Sequence, residues 1–310
     1  MELLDEARCL EAVGELHCAV DFVRWGASAL ADAGVILGHG TDNCVDEALV
    51  LVLHALSLPH GTPDSVLAGR LLETEKENIV ELLRRRINER LPAPYLTGEA
   101  WFAGHRFLCD DRALVPRSPL AEHIERCFEP WLTPEQVRRI ADIGTGGGCL
   151  AIALAHAFPQ ARVDAVDNCP RALSLAAENV RMHAMGDRVN LYEGHLFEPL
   201  HYDPYDLIVS NPPYVPQADV AGAGAEFQHE PRHALAAGSD GLDVVRSIMA
   251  DAGCYLDPEG ALVLEVGANW PAFAAAFVGL QFRWLDNTRG GEGIVLLGWD
   301  ELGRGMNWIE

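Results

Sequence analysis

The chain has 310 residues, 49% of them hydrophobic, and a formal net charge of −23. That length holds one large or two ordinary domains. So acidic a surface repels the phosphate backbones that dominate nucleic-acid affinity and attracts cations and basic proteins, which argues against a DNA partner.

In chain order, residues 1–91 read as a helical domain. Thr41 or Asp42 is placed to cap a helix running through Val45 to Leu51. Thr62-Pro63 reads as a cap followed by proline at the first helical position, and Thr74-Glu75-Lys76-Glu77 as a capping box. The helix after it carries Ile79, Val80, Leu83 and Ile87 on one face, and Arg84, Arg85 and Arg86 are expected on a solvated face near its C-terminus. Residues 92–119 are rich in proline, glycine and aromatics and read as a hairpin over 101–107 followed by an extended connector through Val115-Pro116-Arg117-Ser118-Pro119. From 120 to 310 strands alternate with helices, which predicts an α/β fold with a mostly parallel sheet covered on both faces. Strands are expected at 138–143, 163–167, 189–192, 206–210, 261–266 and 293–297. No apolar run approaches the roughly 18 residues of a transmembrane helix. The acidic start Met1-Glu2-Leu3-Leu4-Asp5-Glu6 is unlike a secretory or mitochondrial signal. Eight scattered cysteines without a Cys-x-x-Cys pair point to free thiols in a reducing cytoplasm and away from a zinc site, so no metal is expected.

Two motifs carry chemistry. The first is a strand, 138–143, running into Gly144-Thr145-Gly146-Gly147-Gly148 and then the small, apolar helix of Cys149 to Ala155. Strand, glycine turn and helix form a nucleotide-binding βαβ layout, and the next strand ends in Asp167, about 20 residues on, where a ribose-hydroxyl acceptor is expected. A dinucleotide fingerprint needs a sixth-position glycine, and Cys149 stands there, so that reading fails. The spacing Gly144, Gly146, Gly148 after Asp142 resembles the S-adenosylmethionine loop of class I methyltransferases. Glycines there let backbone approach the amino-acid part of the cofactor, and Asp142 would pair with its ammonium, directly or through water. An ordinary tight turn is the bland alternative.

The second motif is Asn211-Pro212-Pro213-Tyr214, at the end of the apolar run Leu207-Ile208-Val209. Two prolines remove two backbone donors and fix two φ angles. The Asn211 oxygen and the Pro212 carbonyl then make a stiff pair of acceptors for one planar NH2 group. Acceptors that favour a pyramidal nitrogen stabilise the transition state of alkylation more than the ground state. Tyr214 would stack on the flat amide or base. A rigid turn is the structural alternative.

With these motifs the chain resembles the HemK-like glutamine methyltransferases that modify translation proteins. The match covers nearly the whole length: a helical N-terminal domain, Phe102, Gly104 and Phe107 of the hairpin, the glycine loop, and Asn-Pro-Pro-Tyr. Gly38-His39-Gly40-Thr41-Asp42-Asn43, Arg86-Ile87-Asn88-Glu89-Arg90, Ala100-Trp101-Phe102, Val115-Pro116-Arg117-Ser118-Pro119 and His229-Glu230-Pro231 are similar to the branch acting on the third protein of the large ribosomal subunit. The resemblance implies a class I, Rossmann-like catalytic domain over 120–310 and a substrate-recognition role for 1–91. It implies S-adenosylmethionine as cofactor, S-adenosylhomocysteine as product, and a basic, not yet assembled large-subunit protein as partner. Asp142, Gly144, Thr145, Gly146, Gly147, Gly148, Asp167, His195, Leu196 and Asn211 would line the cofactor. Asn211, Pro212, Pro213, Tyr214, Phe102, Arg117 and His229 would face the substrate. His195 stands where many relatives carry an acid for the adenine amine. The release-factor branch, a DNA adenine methyltransferase and a non-catalytic assembly factor are the competing readings.

Overall fold

The computed structural model describes residues 2–304. The chain forms two compact units, one of residues 1–100 with 224–229 and one of 101–223 with 230–310.

The first unit is helical, with long helices at Glu6–Glu15, Ala19–Asp32, Cys44–Ala55 and Glu73–Asn88. Phe22, Leu30, Leu51, Val52, Ile79, Leu83 and Ile87 are fully buried between them. Three local expectations need correction. The cap of Cys44–Ala55 is Asn43, whose Oδ1 accepts from the Val45 and Asp46 amides at 3.1 and 2.9 Å; Thr41 turns its hydroxyl to Glu47 instead. Pro63 is itself the cap of Asp64–Leu67 rather than its first residue. The next long helix opens at Glu73, and Glu75 accepts from the Leu72 amide at 2.8 Å, so its N-terminal bonding lies ahead of the Thr74 box.

The larger correction concerns Arg86, which is not on a solvated face. It is fully buried, with Nε 2.6 Å from Glu47 and Nη1 3.5 Å from Glu226, and Nη2 donates to the Ile36 carbonyl at 3.0 Å. Glu226 also accepts from the Ile36 amide at 3.0 Å and from Arg90 at 3.2 Å. Arg86, Glu47 and Glu226 are thus buried and mutually paired, with the partly exposed Arg90 closing the cluster at its edge, and pairing is the condition under which a buried charge is tolerable.

The unit boundary falls within strand β1 (Glu99–Phe102), which forms a hairpin with β2 (His105–Leu108). The turn between them, Ala103 and Gly104, has φ of 47° and 75°, the doubly positive geometry that matches strand twist.

The second unit is built on β3 (Arg139–Ile143), β4 (Arg162–Asp167), β5 (Val189–Glu193), β6 (Tyr205–Ser210), β7 (Leu256–Glu265), β8 (Arg283–Leu285) and β9 (Ile294–Gly298). Their order is β5-β4-β3-β6-β7-β9-β8. All neighbours are parallel except β7–β9 and β8–β9. The sequence anticipated each of these strands except the short edge strand β8. Side chains alternate across the sheet as the pleat requires. Ile140, Leu207, Val209 and Val263 pack on one face with Leu150 to Ala155 of helix Cys149–Ala157. Ala141, Ile143, Ile208, Leu262 and Leu264 pack on the other with Val245, Ile248 and Met249 of helix Asp243–Ala252. Strands covered on both sides read as continuous apolar runs, as here. No helix among the described residues is long and apolar enough to cross a membrane.

Candidate active site at the carboxyl edge of the sheet

Chain order reverses between β3 and β6: the strand after β3 lies to one side of it and β6 to the other. A crevice opens outside the carboxyl ends at such a switch point. The registers Ile143↔Val166 and Ser210↔Leu264, one step short, and Asp142↔Val209, two steps short, bring Gly144, Asp167, Asn211 and Glu265 into one row. Asp167 is in turn paired with Glu193. The Ser210 hydroxyl donates to the Ile143 carbonyl at 2.6 Å, tying the two central strand ends together.

The glycine loop leaves β3 with its first two amides, Gly144 and Thr145, donating to the Val166 carbonyl at 2.9 Å each. The Gly146 amide donates to Asp167 Oδ2 at 2.8 Å, and Cys169 N to Oδ1 at 2.8 Å. Each carboxylate oxygen keeps a lone pair for a further donor. Gly148 starts the helix at φ 82°, and a Cβ there would lie 3.1 Å from Ala176. Only glycine satisfies both the left-handed backbone and the close helix contact.

One cavity is lined by this loop and by both motifs. Gly144, Thr145, Gly146, Gly147, Asp167, His195, Leu196, Asn211, Pro212, Pro213, Phe102 and Arg117 all face it. Asn211 makes no side-chain hydrogen bond to the described residues, so its carboxamide is available to a ligand. Arg117 points its guanidinium at Glu230, with Nη2 2.7 Å from Oε2, and Glu230 also accepts from the Val115 amide at 3.1 Å. The signature Val115 to Pro119 is thus braced by the acid of His229-Glu230-Pro231.

Four expected site residues lie elsewhere. Gly148 sits behind the loop, against Ala176. Asp142 is buried beneath the loop: Oδ2 accepts from the Thr145 hydroxyl at 2.6 Å, while Oδ1 has no hydrogen bond of ordinary geometry among the described residues, and the Ala151 amide also acts on the carboxyl. Burial pushes its carboxyl up to about 7, and the nearby Asp167 adds to that. Tyr214 does not line the cavity. Its hydroxyl donates to Glu265 at 3.0 Å, and its ring packs so tightly over Gly267 that a Cβ there would come within 2.6 Å. It braces the Asn-Pro-Pro turn from behind rather than offering a stacking face. His229 belongs to the helical unit, its Nε2 2.8 Å from the Glu89 carbonyl.

Sequence reasoning missed Glu265. It is 3% exposed at the carboxyl end of β7, receiving the Tyr214 hydroxyl and the Ser118 hydroxyl, and burial pushes its carboxyl up to about 7. A lone acid closing the apolar run 261–264 was the available signal. It sits in the row that holds Asn211, so it sets the floor under the Asn-Pro-Pro segment.

The charge pattern suits a cationic, hydroxyl-bearing ligand. An orphaned buried carboxylate oxygen beneath the loop and a second carboxylate on the wall both gain from a nearby positive charge. The loop glycines Gly144 and Gly146, at φ 79° and 54°, have open space where a Cβ would stand.

Comparison with known proteins gives the family. Residues 126–240 match the methyltransferase small domain, and the sheet with its flanking helices is the α/β fold of class I methyltransferases. A solved methyltransferase from Pyrococcus furiosus covers 62% of this chain and 88% of its own, at 16% identity and a TM-score of 0.46. Among curated proteins, the ribosomal protein uL3 glutamine methyltransferase of Bordetella pertussis is 50% identical over 93% of this chain and 97% of its own. That of Xanthomonas campestris is 47% identical over 94% of each. Identity at that level along almost the entire length of both partners means that the chain belongs to the family of ribosomal protein uL3 glutamine methyltransferases.

Proposed function

We propose that this chain transfers a methyl group from S-adenosylmethionine to the side-chain amide nitrogen of a glutamine in ribosomal protein uL3. The observation that carries the reading is the shared cavity: the glycine loop and the unbonded carboxamide of Asn211 face each other across adjacent strand ends. Bound there, the cofactor supplies an electrophilic methyl on a sulfonium centre.

The chain's own residues do the rest. Asp167 accepts from the ribose hydroxyls with the lone pairs that Gly146 and Cys169 leave free. Gly144, Thr145, Gly146 and Gly147 bring backbone against the amino-acid end. Asp142 acts from below, holding the loop through Thr145 and presenting an unbonded oxygen to the positive charge above. Leu196 and His195 border the adenine side. Asn211 Oδ1 and the Pro212 carbonyl accept the two amide hydrogens of the target glutamine and orient its nitrogen for in-line attack. Pro213 stiffens the turn, and Tyr214 with Glu265 fixes it from behind. Phe102 and Arg117 border the entry of the substrate side chain. Most of the acceleration is then positioning of two reactants. The proton leaves to water once the nitrogen is cationic and acidic.

The partner reading follows from charge and from the relatives' names. A net charge of −23 draws in a basic ribosomal protein before its surface is covered by RNA, and this takes place in the cytoplasm. Incubating the purified chain with methyl-labelled S-adenosylmethionine and, separately, uL3, a peptide-release factor and duplex DNA tests all of it. Label on one glutamine of uL3, located by mass spectrometry, is the expected result. Label on the release factor or on adenine, with none on uL3, overturns it.

A further inference from the structure

Three histidines from separate elements of the catalytic unit converge outside the cavity. His105 opens β2, His156 lies in the last turn of Cys149–Ala157, and His183 caps the end of Pro170–Met182. Both helices run back from the carboxyl ends of β3 and β4, so their C-termini lie at the amino ends of the strands, opposite the catalytic crevice. We propose that these three imidazoles form a binding site for a divalent late first-row cation, with zinc as the reference ion and solvent in the fourth position.

The geometry at His183 is the starting point. Its Nε2 lies 2.8 Å from the Arg106 carbonyl oxygen, which only accepts, so Nε2 carries the proton and Nδ1 carries the lone pair of the neutral ring. A ligating histidine is held in this way, one nitrogen donating to a carbonyl and the other free for metal. That Nδ1 accepts from His156 Nε2 at 3.3 Å, a hydrogen bond that a bound ion would replace. Two nitrogens each about 2.05 Å from a tetrahedral zinc are about 3.3 Å apart. The His156–His183 pair therefore already spans one edge of such a site.

His105 supplies the third nitrogen. One ring nitrogen from each histidine lies within 4.8 Å of the other two. The His105 ring makes no hydrogen bond to the described residues and stacks on His156 at 4.1 Å and 15°. Loading requires His105 to tilt off that stack and shorten its edges to about 3.3 Å. It is half-buried at the start of a hairpin strand.

The chemistry of the set selects the ion. Three imidazoles without a carboxylate suit zinc, nickel or copper and not calcium or magnesium. A bound ion would staple the hairpin to both helices, and the same hairpin carries Phe102 to the cavity wall. The proposal does not depend on the identity of the methylated substrate.

The test uses the full-length, metal-free protein. Histidine-selective labelling followed by NMR reads the twelve imidazoles directly. One equivalent of zinc is expected to shift three of them, and to raise the unfolding temperature. Cobalt at one equivalent is expected to give the visible bands of a nitrogen-bound ion without sulfur-to-cobalt charge transfer, which separates this site from the eight free thiols. His105→Asn, which removes no hydrogen bond among the described residues, and His156→Asn are each expected to weaken zinc affinity by about tenfold or more. Absence of one-equivalent binding, a thiolate band, or affinity unchanged in both variants overturns the site.

Discussion

Glu265 provides a direct check on the floor of the active site. The carboxyl is 3% exposed, its two partners are the hydroxyls of Ser118 and Tyr214, and burial raises it from the ordinary 4.5 to about 7. In that interval the folded protein keeps a proton that the unfolded chain has released. Stability from this group is therefore fully present below 4.5 and is lost as pH rises through 7. With each pKa unit worth about 1.4 kcal/mol, the loss across the window is roughly 3 kcal/mol. Glu265→Gln copies the protonated acid, with one donor and one acceptor end for the two hydroxyls, and does not titrate. Urea unfolding of both proteins between about pH 5 and about pH 8 then isolates the group, since every other titration is shared. The variant should gain on the parent by roughly 3 kcal/mol as pH rises. Parallel stability curves would refute the reasoning and mean that the carboxyl is ionised throughout.

The other predictions concern the cavity and the helical unit. Asn211→Ala should abolish methyl transfer while leaving S-adenosylmethionine affinity within a few-fold, measured by labelled-methyl incorporation and calorimetry; wild-type turnover would remove Asn211 from the proposed role. Asp167→Ala should weaken cofactor binding by about 1.5–3 kcal/mol, the range for lost hydrogen bonds to a charged group, and unchanged calorimetric affinity would contradict the ribose assignment. Arg86→Ala leaves Glu47 and Glu226 buried without their shared cation and should cost about 3–5 kcal/mol, read as a lowered melting temperature and faster hydrogen exchange in helix Glu73–Asn88.

The features legible in the sequence are those written locally. The glycine loop and the Asn-Pro-Pro turn each follow an apolar strand, and parallel-sheet topology places all such ends on one edge. That is why Asp167, Asn211 and the loop glycines arrive together although nothing in the sequence states their register. What escaped was long-range pairing. Three consecutive arginines look like a solvated stripe, and the partners that bury Arg86 lie 39 and 140 residues away. Tyr214 looked like a stacking platform because its acceptor, Glu265, comes 51 residues later. Asp142 looked like a partner of the cofactor's ammonium, directly or through water, because its burial beneath Thr145 depends on the loop's curl. The three histidines follow no metal-binding spacing; helix ends and a hairpin gather them. Strand β8 has only three residues, too few for a periodic pattern to emerge.

The six-residue excursion 224–229 has a practical consequence for taking the protein apart. It is encoded downstream of the Asn-Pro-Pro-Tyr tetrapeptide yet is housed with the first hundred residues, where its acid neutralises Arg86 and Arg90. A gene fragment ending near residue 100 would therefore express a helical bundle in which buried Arg86 keeps only Glu47 and the partly exposed Arg90 loses its acid. Dissection by truncation would report a misfolded module, whereas grafting the short peptide back through a linker would restore it. The two units of this chain are therefore not contiguous stretches of coding sequence.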